Sequence, residues 1–179
     1  GVCMSIWTLR HPPVDRKGRC VGQTVIETTI SGAEAVTQAS RSAPFRPTRL
    51  FSSDLPRCAD LARGLADAWS VPVHFDPRLR EMNFGEWEGR HYDAIEAEDG
   101  ERWHTWCNNW MTESPPGGES LDDFVARVRD WIADQEPSSD EAVVTHAGVI
   151  RVLRVLGGMT WDDAMASENP FLGWTEHRL

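Results

Sequence analysis

The apolar positions of this 179-residue chain fall into short runs that are separated by longer stretches with helical spacing. Runs of β-branched, aliphatic and aromatic residues bounded by turn-forming residues are typical of strands. Such runs predict strands over residues 3–10, 49–53, 71–75, 141–145 and 172–178. The intervening stretches are long enough to hold helices, so strands and helices are expected to alternate.

Helix-start signals and apolar spacing place helices between these strands. Ser31 is expected to cap a helix over residues 33–42, with Glu34 at the third position of a capping box. The clearest amphipathic helix follows Ser120, with apolar residues at Leu121, Phe124, Val125, Val128, Trp131 and Ile132. Further helices are predicted over 56–69 with Pro56 in its first turn, over 91–110 as one or two short helices, over 149–156, and from a Thr160 cap to 166.

This alternation predicts a fold class. Alternating strands and helices favour an α/β protein with a doubly wound, mostly parallel sheet that is flanked by helices on both faces. The pattern has no repeats and no linker, so we expect one domain over residues 1–179. At 40% hydrophobic residues, the chain can bury a substantial core.

Charge and composition narrow the partners. The chain has 18 basic and 28 acidic residues, and its formal net charge of −10 argues against nucleic-acid binding. A small phosphorylated metabolite stays compatible, because a local arginine cluster can bind one in an acidic protein. No apolar run approaches a membrane span and no signal-peptide pattern is seen, so we expect a cytoplasmic protein without a membrane partner. The sequence does not indicate an oligomeric state.

The cysteines point to a reducing compartment. Cys3, Cys20, Cys58 and Cys107 are scattered and have no CxxC spacing. We interpret them as reduced thiols of a cytoplasmic protein, since neither a zinc site nor a disulfide framework has this pattern.

Two histidines follow predicted strands. His11 comes directly after Arg10 at the end of the first strand, and His146 follows the strand over 141–145. Because the carboxyl ends of parallel strands open on one crevice, the two imidazoles are expected to be neighbours. An arginine beside a histidine suits a phosphate site, where the guanidinium holds the phosphoryl oxygens and a neutral imidazole attacks phosphorus. On this pattern alone, two unrelated histidines remain an alternative.

Further motifs extend the pattern along the chain. In order after Arg10-His11 they are Ser52-Ser53 with Arg57, Leu79-Arg80-Glu81 before Phe84-Gly85-Glu86-Trp87-Glu88-Gly89, Gly118-Glu119-Ser120, and Thr145-His146-Ala147-Gly148. Together they resemble the histidine phosphatase superfamily, which has the phosphoglycerate-mutase-like fold. The resemblance extends over most of the chain.

The resemblance implies a role for each motif residue. His11 is expected to form a phosphohistidine, and Glu81 resembles the general acid that protonates the leaving oxygen and later activates water. Glu88 is the competing acid. The groups expected to bind or neutralise the phosphoryl group are Arg10, Arg57, His146 and the backbone amide of Ala147. This scheme requires no metal and no cofactor.

The first loop departs from the commonest family pattern. Pro12-Pro13 follows the histidine where glycine is usual, and proline has no amide N–H to offer a phosphate. Gly22 and Gln23 are therefore candidates for the missing phosphate contacts. This loop resembles the α-ribazole phosphatase branch of the superfamily. The expected function is a metal-independent phosphomonoesterase for a small phosphorylated metabolite, with α-ribazole phosphate as a candidate.

Two other functions remain open. A phosphoglycerate-mutase-type phosphotransferase is one, although residues 89–118 are shorter than the insertion by which mutases keep water out. A non-catalytic phosphoester-binding protein on the same fold is the other. Trp103, Trp106 and Trp110 share one helix face, which indicates either core packing or an aromatic wall over the site.

Overall fold

The computed structural model describes residues 4–136 and 140–179, so Cys3 lies outside the described residues. Its strands are β1 (Ser5–Arg10), β2 (Arg49–Ser52), β3 (Val73–Phe75), β4 (Glu141–Thr145) and β5 (Trp174–Arg178). They form one sheet in the order β3-β2-β4-β1-β5, in which β5 runs antiparallel to β1 and the other neighbours are parallel. The predicted mostly parallel sheet is confirmed, with strand ends shifted by at most two residues.

The helices also follow the expected order. They are α1 (Gly32–Ser42), α2 (Pro56–Trp69), α3 (Tyr92–Asn108), α4 (Leu121–Ala133), α5 (Ala147–Leu156) and α6 (Trp161–Ala166). Ser31, Ser120 and Thr160 each accept a hydrogen bond from the N–H three residues on, as predicted for Ser31 and Thr160. Asp99 interrupts α3 with non-helical backbone angles, so this helix is bent.

Apolar clusters cover both faces of the sheet. Leu9, Leu50 and Val144 belong to a core with buried residues of α1 and α2. Ile6 and Val143, which alternate with them along the strands, pack with Trp131 of α4. Burial on both faces explains the apolar run Ala142-Val143-Val144 within β4.

The carboxyl ends of the strands place the residues of interest together. His11 directly follows β1, Ser53 directly follows β2 and His146 directly follows β4. β2 and β1 flank β4 in the sheet, so these three residues lie at one edge. Within the described ranges, no helix combines the length and apolarity needed to cross a bilayer.

Candidate active site

His11 is held as a neutral imidazole with a free nitrogen. It is buried, and its Nδ1 lies 2.7 Å from the carbonyl oxygen of Pro12. A carbonyl only accepts, so Nδ1 carries the proton and the lone pair is on Nε2. Burial, followed by the positive charges of Arg57 and Arg10, lowers the pKa of His11 to about 3. Proline has a carbonyl oxygen like any other residue. The replacement of the usual glycine by Pro12 therefore does not affect the hydrogen bond that orients the His11 imidazole.

His146 lies beside His11, as predicted from the strand ends. The ring centroids are 5.3 Å apart, and His146 Nε2 is 2.8 Å from Ser53 Oγ and 3.4 Å from Cys58 Sγ. Complete burial, with the charge of Arg57, lowers the pKa of His146 well below its ordinary value. The lowered pKa favours the neutral imidazole of His146 in the free protein.

The guanidinium groups of Arg10 and Arg57 are fixed by backbone carbonyls. Arg57 is buried and donates from Nη2 to Gly22 O at 2.5 Å and from Nη1 to Thr24 O at 3.0 Å. Burial lowers the pKa of Arg57.

Arg10 is anchored by the segment that precedes β5. It donates from Nη1 to Asn169 O at 2.5 Å and stacks 4.1 Å above the ring of Phe171. Burial lowers the pKa of Arg10 to about 10, which still leaves it charged at neutral pH. Both arginines are thus rigid cations near the two histidines.

Glu81 is positioned by the start of α5. Its Oε2 accepts the N–H of Gly148 and its Oε1 accepts the N–H of Met82, both at 3.1 Å. The approach to the helix is so close that a Cβ at position 148 would lie 1.9 Å from Glu81 Oε1. Gly148 therefore admits the carboxyl group to the site.

A second arginine layer holds the segment that carries Glu81. Arg127 of α4 donates to the carbonyl oxygens of Arg78, Arg80 and Glu81 at 2.8, 2.7 and 2.9 Å. It also pairs with Glu119 at 2.7 Å, which fixes its guanidinium. Arg127 was not among the predicted site residues.

Glu88, the competing acid, is engaged elsewhere. Its carboxylate accepts the N–H groups of Gly22, Gln23, Thr24 and Phe84 at 2.9–3.1 Å, and the Thr24 hydroxyl at 2.5 Å. Burial alone would raise the pKa of Glu88, but these hydrogen bonds outweigh it and lower the pKa. Glu88 thus ties two loops together and is poorly suited to hold a transferable proton.

Gly22 and Gln23 act through their neighbours in this structure. Their N–H groups are both taken by Glu88. The Gly22 carbonyl holds Arg57, and the Gln23 side chain donates to Glu81 O at 3.1 Å. Direct contact of either residue with phosphate stays a prediction.

A cavity of about 480 Å³ opens beside Glu81. Arg10, Glu81, Ala147 and Gly148 line it, together with aromatic side chains at Phe84, Trp106, Trp110, Phe124 and Trp161. Trp103 packs instead against Trp87 and Tyr92, with centroids at 5.0 and 5.5 Å. The tryptophan face is therefore part wall and part core.

The sequence profile of the histidine phosphatase superfamily (branch 1) matches residues 6–170. This chain belongs to that superfamily. The adenosylcobalamin/α-ribazole phosphatase of Salmonella typhimurium is 33% identical over 158 residues, which cover 84% of this chain and 77% of that protein. The glucosyl-3-phosphoglycerate phosphatase of Mycobacterium tuberculosis is 32% identical over 159 residues, or 81% and 71% of the two chains.

Solved structures agree with the fold of this histidine phosphatase. The α-ribazole phosphatase from Shigella flexneri superposes with a TM-score of 0.86 at 27% identity, covering 97% of this chain and 89% of that chain. A mycobacterial glucosyl-3-phosphoglycerate phosphatase gives 0.81 at 27% identity, covering 98% and 90%. The predicted superfamily, fold and phosphatase class are confirmed.

Proposed function

We propose that this histidine phosphatase hydrolyses a monoester of phosphoric acid through a phosphohistidine on His11. The observation that supports this most strongly is the arrangement around the free Nε2 of His11. A neutral imidazole lies beside His146 and two anchored arginines, while Glu81 is held at the adjoining cavity. These are the nucleophile, the charge-stabilising groups and the proton donor that phosphoryl transfer requires.

In the first step, His11 Nε2 attacks phosphorus and the bond from phosphorus to the ester oxygen breaks. Protonated Glu81 gives its proton to that oxygen, so the alcohol leaves neutral. Arg10 and Arg57 stabilise the charge on the phosphoryl oxygens, and His146 donates a hydrogen bond.

In the second step, water attacks the phosphorus of the phosphohistidine. Glu81, now a carboxylate, takes a proton from that water, and the nitrogen–phosphorus bond breaks. Inorganic phosphate and neutral His11 are regenerated. Arg10 and Arg57 stabilise the charge of the phosphoryl group, and Glu81 carries the proton. The proposed reaction is therefore metal-independent.

The proposed substrate is a small phosphorylated metabolite, with α-ribazole phosphate as the candidate to test first. The Pro12-Pro13 loop and the names of similar proteins from Salmonella typhimurium and Shigella flexneri support this choice. Hydrolysis is favoured over mutase-type transfer because residues 89–118 are a short segment beside an open cavity. Free thiols at Cys20, Cys58 and Cys107 support a cytoplasmic setting.

A phosphate-release screen tests the function. The purified protein is offered α-ribazole phosphate, sugar phosphates, phosphoglycerates and nucleotides, with His11→Ala as the control. We expect release from at least one monoester by the wild type, with the highest kcat/KM on α-ribazole phosphate, and none above background by the variant. Phosphate release by His11→Ala at a rate near that of the wild type would overturn the mechanism.

A further inference from the structure

The cavity beside Glu81 carries more hydrogen-bond donors than the phosphoryl group needs. Among the described residues, the buried side-chain nitrogen atoms without a hydrogen-bond partner are Arg10 Nε, Trp106 Nε1 and Arg151 Nε. All of them belong to residues that line this one cavity. Arg10 adjoins the nucleophile and serves the phosphoryl group. Trp106 and Arg151 have no part in the proposed reaction.

The two remaining residues approach the cavity from different helices. Arg151 lies one turn after Ala147 on α5 and so shares its helix face, and its positive charge contributes to the lowered pKa of Arg10. Trp106 lies on α3 and is fixed edge-on against Phe84, with ring centroids 5.7 Å apart. The two residues therefore reach the cavity from different helices, and the ring of Trp106 is packed there.

The chemistry of these side chains defines what they can bind. The guanidinium and the indole N–H are donors only, so their common partner must be an acceptor. Folded proteins rarely leave buried donors unpaired, because the lost hydrogen bonds with water are not replaced. The surrounding Trp110, Trp161 and Phe124 side chains offer flat apolar surface, which suits a ring.

We propose that Trp106 and Arg151 form a leaving-group subsite that selects an alcohol with a ring bearing a hydrogen-bond acceptor. The proposal rests on the proposed function for the position of the phosphoryl group. Each N–H reaches the acceptor through a side-chain rotation of the kind that commonly accompanies binding. An alcohol without the acceptor leaves buried donor capacity at this subsite unpaired and is rejected for that reason.

A matched pair of esters isolates the acceptor. The phosphate esters 2-(benzimidazol-1-yl)ethyl phosphate and 2-(indol-1-yl)ethyl phosphate have the same shape and leaving oxygen, and only the benzimidazole has an acceptor nitrogen in its ring. We expect the wild type to prefer the benzimidazole ester by about tenfold or more in kcat/KM, the cost of leaving buried donors unpaired. A ratio near one would overturn the subsite.

Variants assign the preference to its donors. Arg151→Met and Trp106→Phe keep the apolar bulk but remove the donors, so each should reduce the ratio by several-fold and the double variant should bring it near one. Met165→Leu is the matched control, because it alters a residue that lines the same cavity and has no hydrogen-bond donor in its side chain. Its ratio should stay that of the wild type, whatever its overall rate. An unchanged ratio in the double variant would refute the assignment.

Binding separates this proposal from the proposed function. Calorimetric titration of His11→Ala with each ester gives a ratio of dissociation constants that needs no turnover. We expect the same preference there, and a several-fold smaller one when Arg151→Met is added. Hydrolysis of either ester by His11→Ala would contradict the proposed mechanism, whereas equal dissociation constants would contradict only the subsite.

Discussion

The close contact between Gly148 and Glu81 predicts the effect of a single methyl group. In Gly148→Ala, the new Cβ would lie 1.9 Å from Glu81 Oε1 and 2.9 Å from its Cδ, whereas ordinary contact begins at 3.4 Å. The carboxyl group must therefore move by about 1.5 Å, the difference between the first and last of these distances. Phe124 Cζ, at 3.2 Å from the same Cβ, limits the space for α5 to adjust.

The displacement of the Glu81 carboxyl group should lower the rate of phosphoenzyme formation. Moving the carboxyl breaks the 3.1 Å hydrogen bond from the Gly148 N–H and withdraws the proposed proton donor from the leaving oxygen. General-acid assistance is worth about 10²–10⁴-fold, and a misplacement of about 1 Å can cost about 10²-fold. We expect kcat/KM for an alkyl phosphate to fall about 10²-fold in Gly148→Ala. An activated aryl phosphate, whose phenolate leaves without a proton, should lose less than about tenfold.

The assay compares the two esters in four proteins: the wild type, Gly148→Ala, Glu81→Gln and the double variant. The quantity is kcat/KM, because it reports phosphoenzyme formation and not the later attack of water. Since both substitutions act on one group, the double variant should be little worse than Glu81→Gln. Gly32→Ala is the control, since its Cβ would meet no atom within 4 Å. Equal losses on both esters, or fully additive losses in the double variant, would refute the reasoning.

Three further predictions concern the nucleophile, the need for a metal and the stability of the fold at low pH. Rapid quench with a labelled substrate should trap an acid-labile, base-stable phosphoenzyme that His11→Ala lacks, and an acid-stable adduct would point to another nucleophile. Activity should survive EDTA, and a loss that one divalent ion restores would overturn the metal-independent scheme. Burial, with the charge of Arg154, lowers the pKa of His177 to about 4, so between pH 6.5 and 4 the unfolded chain binds a proton that the folded chain does not. As the pH falls through this window, the free energy of unfolding should therefore decrease by about 1.4 kcal/mol per pH unit because of this residue. Denaturant titrations of His177→Gln at several pH values should show a dependence of that free energy on pH that is weaker by this amount. An unchanged dependence would contradict the lowered pKa.

The sequence predicted the parts of the site that depend on strand order. His11 and His146 could be placed together because residues that follow adjacent parallel strands share an edge of the sheet. The helix caps at Ser31 and Thr160 could be predicted because capping is a local interaction. These predictions needed no knowledge of how loops pack.

Other parts of the site depend on loop packing and were not readable. Glu88 differs from Glu81 through the larger number of backbone N–H groups around it and through the Thr24 hydroxyl, and no residue type reveals where a backbone N–H points. One signal was available for Arg127. It lies on the apolar stripe of α4 between Phe124 and Trp131, where a charge must find buried partners. Here the partners are carbonyl oxygens and Glu119.

The fold separates the groups that react from the surfaces that select. His11 and His146 stand at the ends of β1 and β4 in a sheet buried on both faces, whereas Trp106, Phe124 and Trp161 come from three different helices. Substitutions in a helix can therefore adapt the cavity to a different alcohol of the phosphate ester, while the residues at the strand ends stay unchanged. Such modularity accounts for close structural relatives named for α-ribazole phosphate and for glucosyl-3-phosphoglycerate on one scaffold. It also makes α3 the segment to randomise when a variant with a different substrate preference is sought.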